Sequence, residues 1–233
     1  MHKRAKHVHL QERKRRLKQK GFLGALWYFL WYDNSPLSWV ANIVVAFVII
    51  KFIVYPLLGL MLGTGLPIVA VVSESMDHDG SFDHWWATYS VCENSRPCQQ
   101  SEWYEQFTIT KEEFQNFPLH NGFQRGDVIV LTRANPDDVE VGDTIVFDAD
   151  RPYPIIHRVV RVYEKDGIPY YETKGDHNTL QIKGICYAEN MNSSYCLDET
   201  AVSSVSLRGK ALARLPYLGY VKILAVDLIQ AII

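Results

Sequence analysis

The chain has only four cysteines, Cys92, Cys98, Cys186 and Cys196, and no two of them form a C-x-x-C pair. That spacing excludes a zinc ribbon. There is no internal repeat and no low-complexity tract. No established metal-ligand spacing is present either. His78, Asp79, Asp83 and His84 come nearest to one, and their pattern carries no metal assignment. Neither a metal nor a cofactor is expected. Acid is almost missing from the first twenty residues, where Glu12 stands against nine of the chain's 24 Lys and Arg.

What remains after that tail is 15 basic against 25 acidic residues, a net charge of −10 on 21–233. The 233 residues are 48% hydrophobic and 21% charged, which fits a domain with a real core and excludes global disorder. A basic tail suits nucleic acid or a membrane surface. Here a long apolar run follows it and the main domain is acidic, so nucleic acid is excluded as a partner and the lipid bilayer is expected.

That run, LSWVANIVVAFVIIKFIVYPLLGLML (37–62), has 26 residues and one charge, Lys51. About 20 apolar residues in a helix cross a bilayer core. The run starts too late for a cleaved leader, and no small-residue cleavage pattern follows it. It reads as a retained single-pass anchor in the cell membrane. The excess of Lys and Arg before it puts the N-terminus in the cytoplasm and the rest of the chain outside. Residues 1–36 then form the cytoplasmic tail plus an aromatic segment, FLGALWYFLWY (22–32), too short to span and suited to the interface. Asp33-Asn34-Ser35-Pro36 breaks the chain and suits a cap for the anchor. The apolar end, 222–233, is expected to associate with the membrane, and whether it spans is open.

Between these segments, 63–221 reads as one extracytoplasmic, mainly β domain. IVAVVS (68–73), DVIVLT (127–132), DTIVFD (143–148), IIHRVVRVY (155–163), YYETK (170–174) and LRGKALARL (207–215) are strand-like, with little helix between them. Residues 77–122 differ, being polar and aromatic. Thr110-Lys-Glu-Glu113 has capping-box spacing and predicts a short helix carrying Phe114 and Phe117. Trp85, Trp86, Trp103 and Tyr104 suit a small core for this helical insertion. In an oxidising compartment the local pairs Cys92–Cys98 and Cys186–Cys196 are one of the three pairings that four cysteines allow, and four free thiols are the alternative. Asn192-Ser193-Ser194 is a glycosylation sequon.

Three polar residues stand out from strand contexts: Ser75 in VVSESMDH, His157 in PIIHRVV and Asp176 in TKGDHN. A serine hydroxyl needs a base to take its proton, histidine serves near neutral pH, and a carboxylate can hold the imidazole tautomer. His177 is a rival base, disfavoured by its place in the turn beside the acid.

These segments resemble type I signal peptidases of the archaeal and endoplasmic-reticulum branch. SESM resembles the S-x-S-M box, RGDVIVL (125–131) the following turn and strand, IIHRVV the box carrying the histidine base, TKGDHN the box holding the acid, and GKALARLPYLGYV (209–221) the closing strand. The resemblance covers about 37–221. It implies a signal-peptidase-like β fold and a membrane-bound serine endopeptidase that cleaves signal peptides from secretory precursors, with the translocon as a further partner. Ser75 is then the nucleophile, His157 the base, Asp176 the acid, and the Ser75 N–H with the Ser73 hydroxyl the oxyanion hole. Glu74 stands where the family usually has Gly, and Asp77-His78 where a Pro commonly follows. Gln181 and Ile182 occupy the positions where many relatives carry another acid, for which Asp198 or Glu199 from the later loop are candidates. These departures leave one alternative, a catalytically inactive membrane-anchored peptide-binding protein on the same fold.

Overall fold

In a computed structural model, residues 21–149, 153–190 and 193–220 are described. The basic tail, the apolar segment 222–233 and Asn192 of the sequon lie outside them. The chain divides into two units, 1–58 and 59–233.

The first unit is helical. α1 (Phe22–Tyr32) is followed by a long apolar helix, Pro36–Leu62, built from α2 (Pro36–Ile49), a π-turn (Ile50–Val54) and α3 (Tyr55–Leu62). Its 27 residues span about 40 Å, enough to cross a membrane. Ser35 caps it by accepting the Ser38 N–H at 3.3 Å, and Pro36 sits in the first turn, where a missing N–H costs nothing. The polar residues of the helix have local tasks. The Ser38 hydroxyl donates to Phe29 O at 2.6 Å and Asn42 Nδ2 to Leu30 O at 2.9 Å, tying the span to α1. The π-turn lies just before Pro56, whose ring crowds the carbonyl four residues back, and the wider turn relieves that contact.

The second unit is built on one antiparallel sheet of seven strands, ordered β1-β4-β11-β5-β6-β7-β10. These are β1 (Ile68–Ala70), β4 (Val128–Thr132), β5 (Thr144–Phe147), β6 (Ile155–Lys165), β7 (Ile168–Lys174), β10 (Val202–Ser203) and β11 (Leu207–Leu215). β11 pairs with β5 through 207–210 and with β4 through 210–215, and register shifts in β11 and β6 curl the sheet. Its apolar strand faces pack into two clusters. One gathers Val71, Met76, Phe123, Ile129 and Leu131, the other Ile145, Phe147, Val159, Tyr171 and Leu197.

Every run expected to be extended contains a strand. Two hairpins, β2 (Tyr89–Cys92) with β3 (Arg96–Gln99) and β8 (Ile185–Asn190) with β9 (Ser193–Leu197), were not expected. Their strands are short, polar or proline-containing, so no period-2 pattern announces them. Cys92 and Cys98 are joined across the first hairpin, Cα atoms 5.9 Å apart. In the second, the register places Cys186 opposite Cys196, and Cys196 is disulfide-bonded.

The insertion holds three short helices where the sequence predicts one: α4 (Phe82–Trp86), α5 (Gln100–Glu105) and α6 (Lys111–Asn116). α6 begins at the expected capping box, Thr110 accepting the Glu113 N–H and Glu113 accepting the Thr110 N–H. Phe117 lies just past its end. Trp85, Trp86, Trp103, Tyr104 and Phe114 make the insertion's core, which also packs on Val160 of β6.

Candidate active site

Ser75 follows β1 in a tight turn closed by Asp77 N–H to Glu74 O at 3.0 Å. The Ser73 and Ser75 hydroxyl oxygens are 3.3 Å apart. His177 N–H donates to Ser75 O at 2.9 Å, so the loop after β7 runs directly over the serine. His157 is buried on β6. A Cβ on Gly175 would sit 2.7 Å from Ser75 O and 2.8 Å from His157 Nε2. Those two atoms are therefore within the sum of these distances, 5.5 Å, and only a glycine fits between them. Gly175→Ala should push the loop off Ser75 and lower precursor cleavage at least about 100-fold, since misplacement by an ångström costs that much. Unchanged turnover, measured as initial rates on a purified precursor, would contradict this packing.

The other ring nitrogen, His157 Nδ1, bonds to Glu199 Oε1, one of the two candidates for a further acid. Glu199 is fully buried. Its Oε2 accepts the Ile182 N–H at 2.8 Å, and its backbone is bonded to Thr173 and Ile182. Position 182, which lacks an acid of its own, thus receives one from 17 residues further on. Asp198 lies in the same loop but accepts from the Thr200 N–H and hydroxyl.

Asp176 is not at the His157 ring. Its carboxylate accepts from Arg158 Nη2 at 2.7 Å and Nε at 3.0 Å, from His78 Nε2 at 3.0 Å and from the Tyr104 hydroxyl at 3.0 Å. The reason is the strand period. Successive side chains point to opposite faces. On one face of β6, His157 and Val159 lie with Thr173 and Glu199. On the other, Arg158 and Val160 lie under the insertion with Asp176. Burial alone would raise the Asp176 carboxyl, but Arg158 and then His78 outweigh it and hold it well below the usual carboxylate range. Burial lowers the Lys174 amine to about 7, against the pull of Asp176 and Glu199. Its Nζ donates to Gln100 Oε1 at 2.9 Å over the Trp103 ring.

Arg158 was not singled out in the sequence, and its neighbours Tyr104 and Phe114 only as parts of the insertion. The signal for Arg158 was there, because an arginine inside a run of β-branched residues requires a buried acid. The remaining candidates have separate tasks. His177 Nδ1 meets Asp79 at 3.3 Å and Asp83 meets Lys111 at 2.8 Å, while His78 is committed to Asp176. Among the described residues no group of three metal-ligating side chains is found. The RGD segment is a turn, with Gly126 at φ 91° and Asp127 buried, accepting the Gln124 and Tyr217 N–H groups.

Comparison with known proteins gives signal peptidase catalytic subunits. "Signal peptidase complex catalytic subunit SEC11C" of Homo sapiens is 36% identical over 111 residues, covering 47% of this chain and 53% of that protein. The sec11 subunit of Schizosaccharomyces pombe is 30% identical over 132 residues, covering 47% and 63%. SEC11 of Scheffersomyces stipitis is 36% identical over 110 residues, covering 47% and 61%. This chain is similar to signal peptidase catalytic subunits over about half of its own length. It spans about half the length of the first of these curated relatives, and no family model matches it.

Proposed function

We propose that the chain is a membrane-anchored serine endopeptidase that cleaves signal peptides from secretory precursors. The observation that carries this reading is the line Ser75, His157, Glu199. A serine in the turn after an edge strand has its carbonyl oxygen within 5.5 Å of Nε2 of a buried histidine, whose other ring nitrogen is held by a buried carboxylate. With Glu199 on Nδ1, the proton of neutral His157 sits there and Nε2 carries the lone pair. Nε2 takes the Ser75 proton as Oγ attacks the scissile carbonyl. The imidazolium so formed is stabilised by Glu199. The developing oxyanion is received by the Ser75 N–H and the Ser73 hydroxyl, fixed donors of the kind that lower such barriers. His157 then protonates the leaving amine, and water, activated by the same ring, releases the acyl-enzyme.

β1 ends the sheet order, so an extended peptide can add beside it and lead its scissile bond to Ser75. The long apolar helix supports membrane attachment, with the N-terminus cytoplasmic and the peptidase unit outside. The relatives' names speak of a complex, which supports partner subunits here; a place beside the translocon follows from the substrate. The inactive-binder alternative drew on Glu74 and on the missing second acid, and the buried Glu199 on His157 Nδ1 supports the active reading over it.

The test is cleavage of a signal-bearing precursor by the detergent-solubilised full chain, beside Ser75→Ala and His157→Ala. Each variant is expected to lose activity by about 10⁴-fold or more. Full cleavage by Ser75→Ala would refute the assignment. Precursor binding without turnover by the unmodified chain would turn the reading to the inactive binder.

A further inference from the structure

The 77–122 insertion leaves the chain immediately after Met76 and returns at Phe123, and Phe123 N–H donates to Met76 O at 2.9 Å. It therefore hangs from the residue next to Ser75. Its far side folds back onto the loop that covers Ser75. The Trp85 indole N–H donates to Asp176 O at 3.0 Å, the Tyr104 hydroxyl to Asp176 Oδ1 at 3.0 Å and His78 Nε2 to Asp176 Oδ2 at 3.0 Å. Val91 N–H and the Ser90 hydroxyl donate to Thr179 O at 2.8 and 2.6 Å, and Gln100 Nε2 to Asn178 O at 3.2 Å. Asp176 N–H reaches the Met76 sulfur at 3.4 Å, and His177 N–H bonds Ser75 O.

His78 is the tightest part of this arrangement. Its ring is buried and stacked on Trp85, centroids 3.7 Å apart and planes 3° from parallel. On another side it meets Gly122, where a Cβ would lie 2.6 Å from the ring. Its Nδ1 is buried with no hydrogen-bond partner among the described residues, so the ring's one polar contact is Asp176.

Resting on the peptidase reading, we propose that the insertion is a clamp on the nucleophile: His78 and Tyr104, acting through Asp176, are positioning residues that hold the 175–178 loop against Ser75 and so set its approach to His157. None of them touches the reacting atoms. Arg158 neutralises Asp176 from β6 and reaches the insertion's return path at Pro118 O and Leu119 O, whereas His78 and Tyr104 are the insertion's own side chains on the Asp176 carboxylate, His78 two residues from the stalk at Met76.

The experiment compares the full chain in detergent with His78→Leu, His78→Gln and Tyr104→Phe, reading both backbone amide exchange at 176–177 and the kinetics of precursor cleavage. Gln can present a nitrogen donor near the place of His78 Nε2, whereas Leu cannot. Amide exchange at 176–177 is expected to accelerate about tenfold in His78→Leu and Tyr104→Phe, with kcat falling by about the same factor and KM unchanged, since each loses a bond to a charged acceptor. His78→Gln should recover most of both. Unchanged exchange at 176–177 would overturn the clamp, as would accelerated exchange with full kcat. An unmodified chain that cleaves no precursor would instead refute the peptidase reading, and the exchange measurements decide the clamp independently.

Discussion

Glu199→Gln is expected to lower kcat for precursor cleavage by about 10³-fold or more, with the fold intact and KM little changed. The loss comes from the tautomer as much as from the charge. Glu199 accepts at both oxygens, from His157 Nδ1 and from the Ile182 N–H. A glutamine has one acceptor oxygen. Kept on His157, it would turn its amide group toward the Ile182 N–H, leaving two donors facing each other in a buried site. Flipped, it satisfies Ile182 and donates to Nδ1, which moves the imidazole proton to Nε2 and removes the base. Asp198→Ala, by contrast, breaks side-chain bonds only to Thr200 among the described residues and should cost less than about threefold, in keeping with an exposed polar site. Steady-state kinetics on one precursor separate the cases. If Glu199→Gln kept its activity while a folded Asp176→Asn lost it, the acid would be Asp176 after all.

That contrast locates what the sequence could and could not disclose. The apolar helix, the strands around His157 and the turn before β4 were legible because each rests on a local pattern: length, β-branched alternation, or a glycine at a turn. Ser75 and His157 were singled out by polarity inside apolar strands and named by resemblance. Asp176 was named as the acid by resemblance, whereas the carboxylate on His157 Nδ1 is that of Glu199, and that pairing is not a local property. Asp176 and Glu199 both lie near the end of β7, and what separates them is which face of β6 each meets. The parity of neighbouring residues, His157 one way and Arg158 the other, contained that answer. Reading it required noticing that Arg158 needs a buried acid and that Asp176 is the one in reach. The insertion's grip on the 175–178 loop had no sequence signature, since it is made by single donors on residues that otherwise read as core aromatics.

Arg158→Met should be the most damaging substitution outside the Ser75–His157–Glu199 line. Removing one partner of a fully buried ion pair leaves the other uncompensated and costs about 3–5 kcal/mol. Here the same guanidinium also donates to Pro118 O, Leu119 O and Gly142 O, so the insertion's return path loosens with it. The pH dependence gives this prediction a sign. In the parent chain the folded Asp176 carboxyl lies below its unfolded value of about 3.9. Its contribution is therefore present at neutral pH and is lost as pH falls through that value toward the folded one. In Arg158→Met the larger lowering partner is gone and only His78 remains against burial, the largest effect on this carboxyl, so its folded value rises and the variant loses stability as pH rises. Lys174, whose amine burial lowers to about 7, charges on acidification at a cost to the fold, and it does so in parent and variant alike, so the gap between them is set by Asp176. The gap in thermal midpoint between parent and variant should thus narrow from pH 7 to about pH 4.5, where an unperturbed carboxyl begins to protonate. A gap that stayed constant on acidification would place the damage in the lost carbonyl contacts, which do not titrate, rather than in the unpaired Asp176. Adding Asp176→Leu to Arg158→Met supplies the check at constant pH: it should recover only the part of the loss due to the unpaired charge, because the donors of His78 and Tyr104 and the three carbonyls stay unpaired.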